Sequence, residues 1–327
     1  MKASADVLTQ RTSRKPIGQP LLSLIGRTPL LSLAHLERET PGVTLLAKAE
    51  WFNPGGSVKD RAAASIIHEA EARGLIHTGV TLLDATSGNT GIAYAMISAA
   101  KGYRLRLCIP TNANPQVLSL LRAYGAELTL TDPMQGSDGA IREARRLARS
   151  HSGEFLYLDQ YNNPANWQAH YDTTAVEIWE QTKRAVTHFV AGLGTTGTFT
   201  GTSRRLQVFN PTLRAIAVQP AGGLHGLEGL KHLDSAIVPG IYDPQLPDET
   251  VFVSTEEAYD VLQRLTNEEG VLVGPSSGAA LAASLRVAKT LSATRTPAVI
   301  VMIFPDSGHR YLREGLFGSS HDRVLSS

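Results

Sequence analysis

Lys59 stands in the segment Asn53-Pro54-Gly55-Gly56-Ser57-Val58-Lys59-Asp60-Arg61, and two donor-rich turns follow it, Thr86-Ser87-Gly88-Asn89-Thr90-Gly91 and Gly194-Thr195-Thr196-Gly197-Thr198. A primary amine attacks carbonyl compounds only when neutral, so its pKa must fall from about 10.4 through burial or neighbouring positive charge. Arg61, two positions on, is placed to contribute to that. Glycines let backbone N–H groups approach an anion, and a helix opening after such a turn favours negative charge by roughly 0.3–1 kcal/mol. The turn at 194–198 adds threonine hydroxyls and suits a phosphate monoester; the turn at 86–91 suits a carboxylate by the same logic. A lysine, a carboxylate-sized set of donors and a phosphate-sized cradle are the three parts needed to hold pyridoxal phosphate with an amino acid on it. Taken singly, each has an ordinary reading: a solvated lysine beside Asp60, helix capping by Ser87 or Asn89, a tight turn with no ligand.

Other chemistries find less support. Gly192-Leu193-Gly194-Thr195-Thr196-Gly197 satisfies the dinucleotide pattern G-x-G-x-x-G, but the following strand ends in Gln219-Pro220 and not in the acidic residue that holds a ribose hydroxyl. There is no H-E-x-x-H, no C-x-x-C and no P-loop lysine. Cys108 is the one cysteine; its apolar run reads as a buried strand and gives no internal disulfide.

The elements that must position these turns read as an α/β protein. Strands are expected over 44–49, 80–84, 103–109, 128–130, 187–191, 215–219 and 298–304. Helices are expected over 58–73, 89–100, 115–124, 139–150, 173–182, 198–208, 255–268 and 277–291. Short β-branched runs alternating with helical patterns imply mostly parallel sheets, with ligands at the carboxyl ends of the strands, where all three motifs fall. The segment 220–248 is rich in glycine and proline and reads as a long functional loop or lid.

With 327 residues the chain has room for two domains, and 42% hydrophobic against 19% charged residues is ordinary for a globular protein. A formal net charge of +1 provides no field for nucleic acid or an anionic membrane. Arg142, Arg145, Arg146 and Arg149 gather around Glu143 and read as a solvated helix face. The first twenty residues lack the apolar segment of a secretory signal, and no apolar run reaches membrane-spanning length. The expectation is a cytoplasmic protein with a loose N-terminal arm.

The three motifs, in this order, resemble the cysteine synthase family of pyridoxal-phosphate enzymes. The resemblance runs from about residue 20 to 316 and includes Ile25-Gly26-Arg27-Thr28-Pro29-Leu30, Gln160-Tyr161-Asn162-Asn163-Pro164-Ala165-Asn166, Gly274-Pro275-Ser276-Ser277-Gly278-Ala279 and Asp306-Ser307-Gly308-His309-Arg310-Tyr311. It implies two three-layer α/β domains, a tryptophan-synthase-β-like fold, with the cofactor between them. The implied division is an arm over 1–17, a larger cofactor-phosphate domain over 18–52 and 164–318, a smaller mobile domain over 53–163, and a tail over 319–327. By motif, Lys59 would bind the cofactor covalently and Asn89 would hydrogen-bond its ring hydroxyl. Gly194, Thr195, Thr196, Gly197 and Thr198 would hold its phosphate, and Ser276 would face the pyridine nitrogen. Thr86, Ser87, Gly88, Asn89 and Thr90, with Gln160, would grip the substrate carboxylate.

The resemblance further implies β-replacement: an activated serine loses its β-substituent to give a bound aminoacrylate, and a sulfur donor adds to form L-cysteine. A serine at the ring nitrogen leaves that nitrogen largely unprotonated and favours prompt β-elimination over transamination. The turn at 194–198 and the strand before it look more like the B-type branch, some members of which take O-phosphoserine in place of O-acetylserine, or thiosulfate or a thiocarboxylated carrier protein in place of sulfide. The 220–248 loop lacks the arginine that phosphoserine-using members bring to the leaving phosphate, and Lys231, with His225 or His232, is the expected substitute. The family also suggests a homodimer. The competing readings keep the fold and change the second half-reaction, as in cystathionine β-synthase or a serine/threonine dehydratase, or discard catalysis for partner binding.

Overall fold

The computed structural model describes residues 18–312, and the expected arm at 1–17 and tail at 319–327 lie outside them. Two sheets form the frame. The larger is built from β1 (Leu30–Ser32), β2 (Val43–Ala49), β7 (His188–Gly192), β8 (Arg214–Pro220), β9 (Glu249–Val253) and β10 (Ala298–Phe304), in the spatial order β1-β2-β10-β7-β8-β9. The smaller runs β5 (Glu127–Thr131), β4 (Arg104–Pro110), β3 (Thr81–Ala85), β6 (Phe155–Tyr157). Every neighbouring pair is parallel except β1 with β2. Parallel strands need helical crossovers that cover both faces, which explains the near-continuous apolar runs of β3, buried along its whole length, and of β10.

Nine α-helices make those crossovers among the described residues. α1 (Lys59–Ala72), α2 (Asn89–Lys101), α3 (Pro115–Ala123) and α4 (Gly136–Ser150) serve the smaller sheet, while α5 (Pro164–Ala169), α6 (Ala175–Gln181), α7 (Gly197–Phe209), α8 (Thr255–Glu269) and α9 (Pro275–Ala293) serve the larger. Their ends follow local chemistry. Asn114 and Asn163 cap α3 and α5 through their side chains, each followed by proline, and Gly102 and Gly270 close α2 and α8 in left-handed conformation. None of these helices is long and apolar enough to cross a membrane.

The expected strands and helices form within a few residues of their expected bounds, but four elements were not anticipated: β1, β6, β9 and α5. The helix expected over 173–182 is the last part of a continuous helical run from Pro164, interrupted by one π turn at His170–Thr174. The 220–248 segment is irregular as expected, apart from a 3₁₀ turn at Leu233–Ser235, but it is not a free flap. Leu227 and Leu233 are buried in the core, and the Lys231 N–H donates to the Leu193 carbonyl at 2.7 Å.

One buried charge network ties the two units together. Arg61 on α1 donates to Glu50, just past β2, at 2.8 Å, and to Glu177 on α6 at 2.6 Å. Lys48 on β2 completes it, 2.7 Å from Glu177 and 2.6 Å from the Thr28 carbonyl. Burial alone would raise the Glu177 carboxyl, yet Arg61 and Lys48 hold it down to about 2. The rest of α1 packs into the smaller sheet's core through Ala63, Ile66 and Ile67, so this single helix is anchored to both units. A carboxylate with a depressed folded pKa stabilises fully above its unfolded value, near pH 4.3, and loses that contribution as pH falls toward 2. Glu177→Gln is therefore expected to be less stable than the parent by on the order of 3 kcal/mol at pH 7, with the gap closing on acidification. Urea unfolding across a pH series measures it, and a gap independent of pH would contradict it.

Candidate active site

The strand ends deliver the three motifs to one cleft between the sheets. β2 runs out into the turn that leads to Lys59 at the first position of α1, and the Val58 N–H is pinned to the Pro305 carbonyl just beyond β10 at 2.8 Å. β3 ends in Ala85, followed by the 86–88 turn and α2; β7 ends in Gly192, followed by the 194–196 turn and α7. Two adjoining cavities result. One is lined by Thr86, Ser87, Gly88, Thr90, Gln160 and Lys231; the other by Thr196, Thr198 and Ser276. Lys59, Asn89, Gly194 and Thr195 line both. Gly197, His225 and His232 line neither; Gly197 packs against Asn166, whose Oδ1 would lie 2.0 Å from an added Cβ.

Lys59 meets the requirement for a reactive amine. Burial lowers its pKa, and the Asp306 carboxylate works against that shift. The expected help from Arg61 is absent because its guanidinium faces Glu50 and Glu177. Asp306, 1% exposed, accepts from Asn89 Nδ2 at 2.6 Å and from the Tyr311 hydroxyl at 2.8 Å. Arg310 donates to Asn89 Oδ1 and, at 2.7 Å, to the Gly55 carbonyl. With Oδ1 engaged by Arg310 and one N–H by Asp306, the Asn89 amide is fixed in one orientation and keeps a second N–H for a ligand.

The carboxylate turn is organised from within. Thr86 Oγ1 accepts from the N–H groups of Gly88 and Gly91 at 3.1 and 2.9 Å. Thr90 donates to Gln160 Oε1 at 2.7 Å, and Gln160 Nε2 donates to the Ala85 carbonyl at 2.6 Å. These side chains brace the turn, and the N–H groups of Asn89 and Thr90, the first two of α2, are left for an anion. Behind it lies Asp84, wholly buried, which accepts from the N–H groups of Ala85 at 2.7 Å and Gln160 at 3.1 Å. Burial pushes its carboxyl up to about 7.

The phosphate-sized turn shows an unmet need. Thr196 adopts a left-handed φ of 69°, unusual for threonine, and its Oγ1 is buried without a partner. A Cβ on Gly194 would fall 2.2 Å from the Gly229 carbonyl, so glycine there allows the backbone its close approach. His170, not anticipated from sequence, backs the turn with Nε2 3.3 Å from Thr198 Oγ1. Burial and then Arg61 press its pKa down to about 3, so the ring is neutral. These atoms fit a phosphate monoester, and with Lys59 at the shared wall they fit pyridoxal phosphate. Lys231 reaches the first cavity, but its ammonium is paired 2.7 Å from Asp138. Cys108 is buried with its thiol pushed up to about 12 by burial, as expected of a strand cysteine.

Fold and site together define a pyridoxal-phosphate enzyme, and a family model described as pyridoxal-phosphate dependent enzyme matches residues 21–306. Cysteine synthase of Aquifex aeolicus is 50% identical over 301 residues, covering 91% of this chain and 92% of that one. Cysteine synthase B of Salmonella typhimurium is 46% identical, covering 91% and 95%. The crystal structure of cysteine synthase from Entamoeba histolytica superposes with a TM-score of 0.87 at 33% identity, over 96% of this chain and 94% of that one. The chain belongs to the cysteine synthase family of pyridoxal-phosphate-dependent enzymes.

Two outcomes follow from this geometry. Gly194→Ala must push the Gly229 carbonyl away, a displacement of about 1–3 kcal/mol, and is expected to retain pyridoxal phosphate about tenfold or more weakly, read by equilibrium dialysis. Asp84 holds its proton in the folded state up to about pH 7, whereas the unfolded chain releases it near pH 4, so its contribution to stability falls as pH rises through that window. The stability of Asp84→Asn relative to the parent is expected to increase from pH 5 to pH 8 in urea titrations; a flat or opposite trend would contradict it.

Proposed function

We propose that this chain is a cysteine synthase, making L-cysteine from an activated serine and sulfide by replacing the β-substituent. The observation that carries the reading is the sharing of Lys59, Asn89, Gly194 and Thr195 between a phosphate-sized and a carboxylate-sized cavity. An amino acid bound across that wall has its α-carbon beside the lysine. Relatives named cysteine synthase, alike over nine-tenths of the chain, support the same reading.

In this proposal Lys59 binds the cofactor, and the N-terminus of α7 with Gly194, Thr195, Thr196, Gly197 and Thr198 holds its phosphate. Ser276 would face the pyridine nitrogen, and the second N–H of Asn89 would donate to the ring hydroxyl. Pyridoxal phosphate supplies the electron sink for negative charge at the substrate Cα. The opening N–H groups of α2, with Ser87 and Gly88 and braced by Thr86, Thr90 and Gln160, grip the substrate carboxylate. The Lys59 amine, whose neutral form burial favours, would take the Cα proton. The β-substituent would leave, sulfide would add at the vacated β-carbon, and Lys59 would return the proton to Cα. Residues 53–163 form the smaller, mobile domain and close on 18–52 with 164–312 when the carboxylate is gripped. The working form is a cytoplasmic homodimer, with sulfide as donor and a thiocarboxylated carrier protein as a possible second source of sulfur.

The visible absorption spectrum of the purified holoenzyme tests this directly. The resting band is expected to shift when O-acetylserine or O-phosphoserine is added and to return with sulfide, as cysteine appears. Lys59→Ala is expected to lose about 10³-fold or more in turnover while remaining folded. A parent band that answers neither donor would overturn the assignment of substrate.

A further inference from the structure

The cation at the mouth of the cleft is already neutralised. Lys231 comes from the irregular segment after β8, and its Nζ lies 2.7 Å from Asp138 Oδ1 and 5.2 Å from the centre of the Tyr161 ring. Asp138 stands in the first turn of α4, on the opposite unit, and its other oxygen accepts from the Ile237 N–H at 2.7 Å. The two side chains are 8% and 21% exposed, so water screens the pair little and the opposite charges cancel at the cavity wall. Arg310 lines the same cavity but donates to Asn89 and Gly55, and Glu228 adds a carboxyl group to the lining.

A phosphoester arriving here carries about two negative charges. To use Lys231 it must displace a carboxylate that is held by a backbone N–H and favoured by the helix N-terminus. An acyl ester brings no charge to this point and requires no exchange. Resting on the cysteine synthase reading, we propose that Asp138 is a specificity-determining residue: by holding Lys231 it restricts the activated serine to one with an uncharged acyl leaving group. Loss of the Asp138 charge leaves Lys231 free to meet a phosphate dianion at the same place.

The test is kcat/KM with sulfide for O-acetylserine and for O-phosphoserine, in the parent holoenzyme, Asp138→Asn and Asp138→Asn/Lys231→Met. Asp138→Ser serves as a second neutral variant should the asparagine variant fold poorly. The parent is expected to favour O-acetylserine. In the neutral variants the phosphoserine-to-acetylserine ratio is expected to rise about tenfold or more, mainly through a lower KM for O-phosphoserine, and to fall back in the double variant. A parent that uses O-phosphoserine as well as O-acetylserine, or a ratio that stays within about threefold in both neutral variants, overturns the proposal while leaving the enzyme assignment intact. A pyridoxal-phosphate-loaded parent that turns over neither ester overturns that assignment, and the proposal with it.

Discussion

The position of Lys59 depends on Arg61. Two residues along α1, the Arg61 guanidinium lies between Glu50 and Glu177 with 3% of its surface exposed. Buried charges are costly unless paired and hydrogen-bonded, and every member here is: Glu50 accepts from Thr28, Asn53 and Arg61, and Lys48 donates to Thr28, Glu177 and Gln181. Such a network tolerates little displacement, since shifting α1 by one position would leave several charges without partners. It therefore sets the register of the helix whose first residue is the reactive lysine. The Val58 bond to Pro305 fixes the same turn from the β10 side.

The cleft is held in shape by hydrogen bonds among its own side chains and backbone. Thr86, Thr90 and Gln160 brace their turn, Asn166 bonds both the Gln160 carbonyl and Thr195, and His170 backs Thr198. In the proposed function the direct donors are backbone N–H groups whose directions are set before a ligand arrives, so little ordering would remain to be done on binding. The hydroxyl-rich composition of both turns has this double use: most hydroxyls hold the loop, and the orphaned Thr196 Oγ1 is the exception that faces a missing partner.

Much of this was legible in the sequence because the informative features are local. Glycine- and hydroxyl-rich turns between a strand and a helix announce both cradles, and the alternating pattern places them at strand ends. β1 and β6 escaped because three residues are too few to show a period, and α5 because Pro164, a helix starter here, reads equally well as a break after Asn162-Asn163. The partners of Arg61 escaped for a different reason: Glu177 is 116 residues away, and nothing in the local pattern distinguishes it from a surface glutamate. The same holds for Asp138 and Lys231, 93 residues apart.

The least legible feature is the pairing of a buried amine with a buried carboxylate. A neutral amine and a nearby carboxylate make opposing demands, because Asp306 favours the protonated form of the Lys59 amine that burial disfavours. Asp306 is not a free charge, however. Its Oδ2 is bound by Asn89 and Tyr311, while Arg310 donates to the far side of the same amide. Negative charge drawn toward these donors acts less strongly on the lysine, and the same bonds fix the Asn89 amide. One carboxylate thus moderates the proton on the amine and orients Asn89, so a neutral replacement at 306 would alter both the titration of Lys59 and the geometry around it.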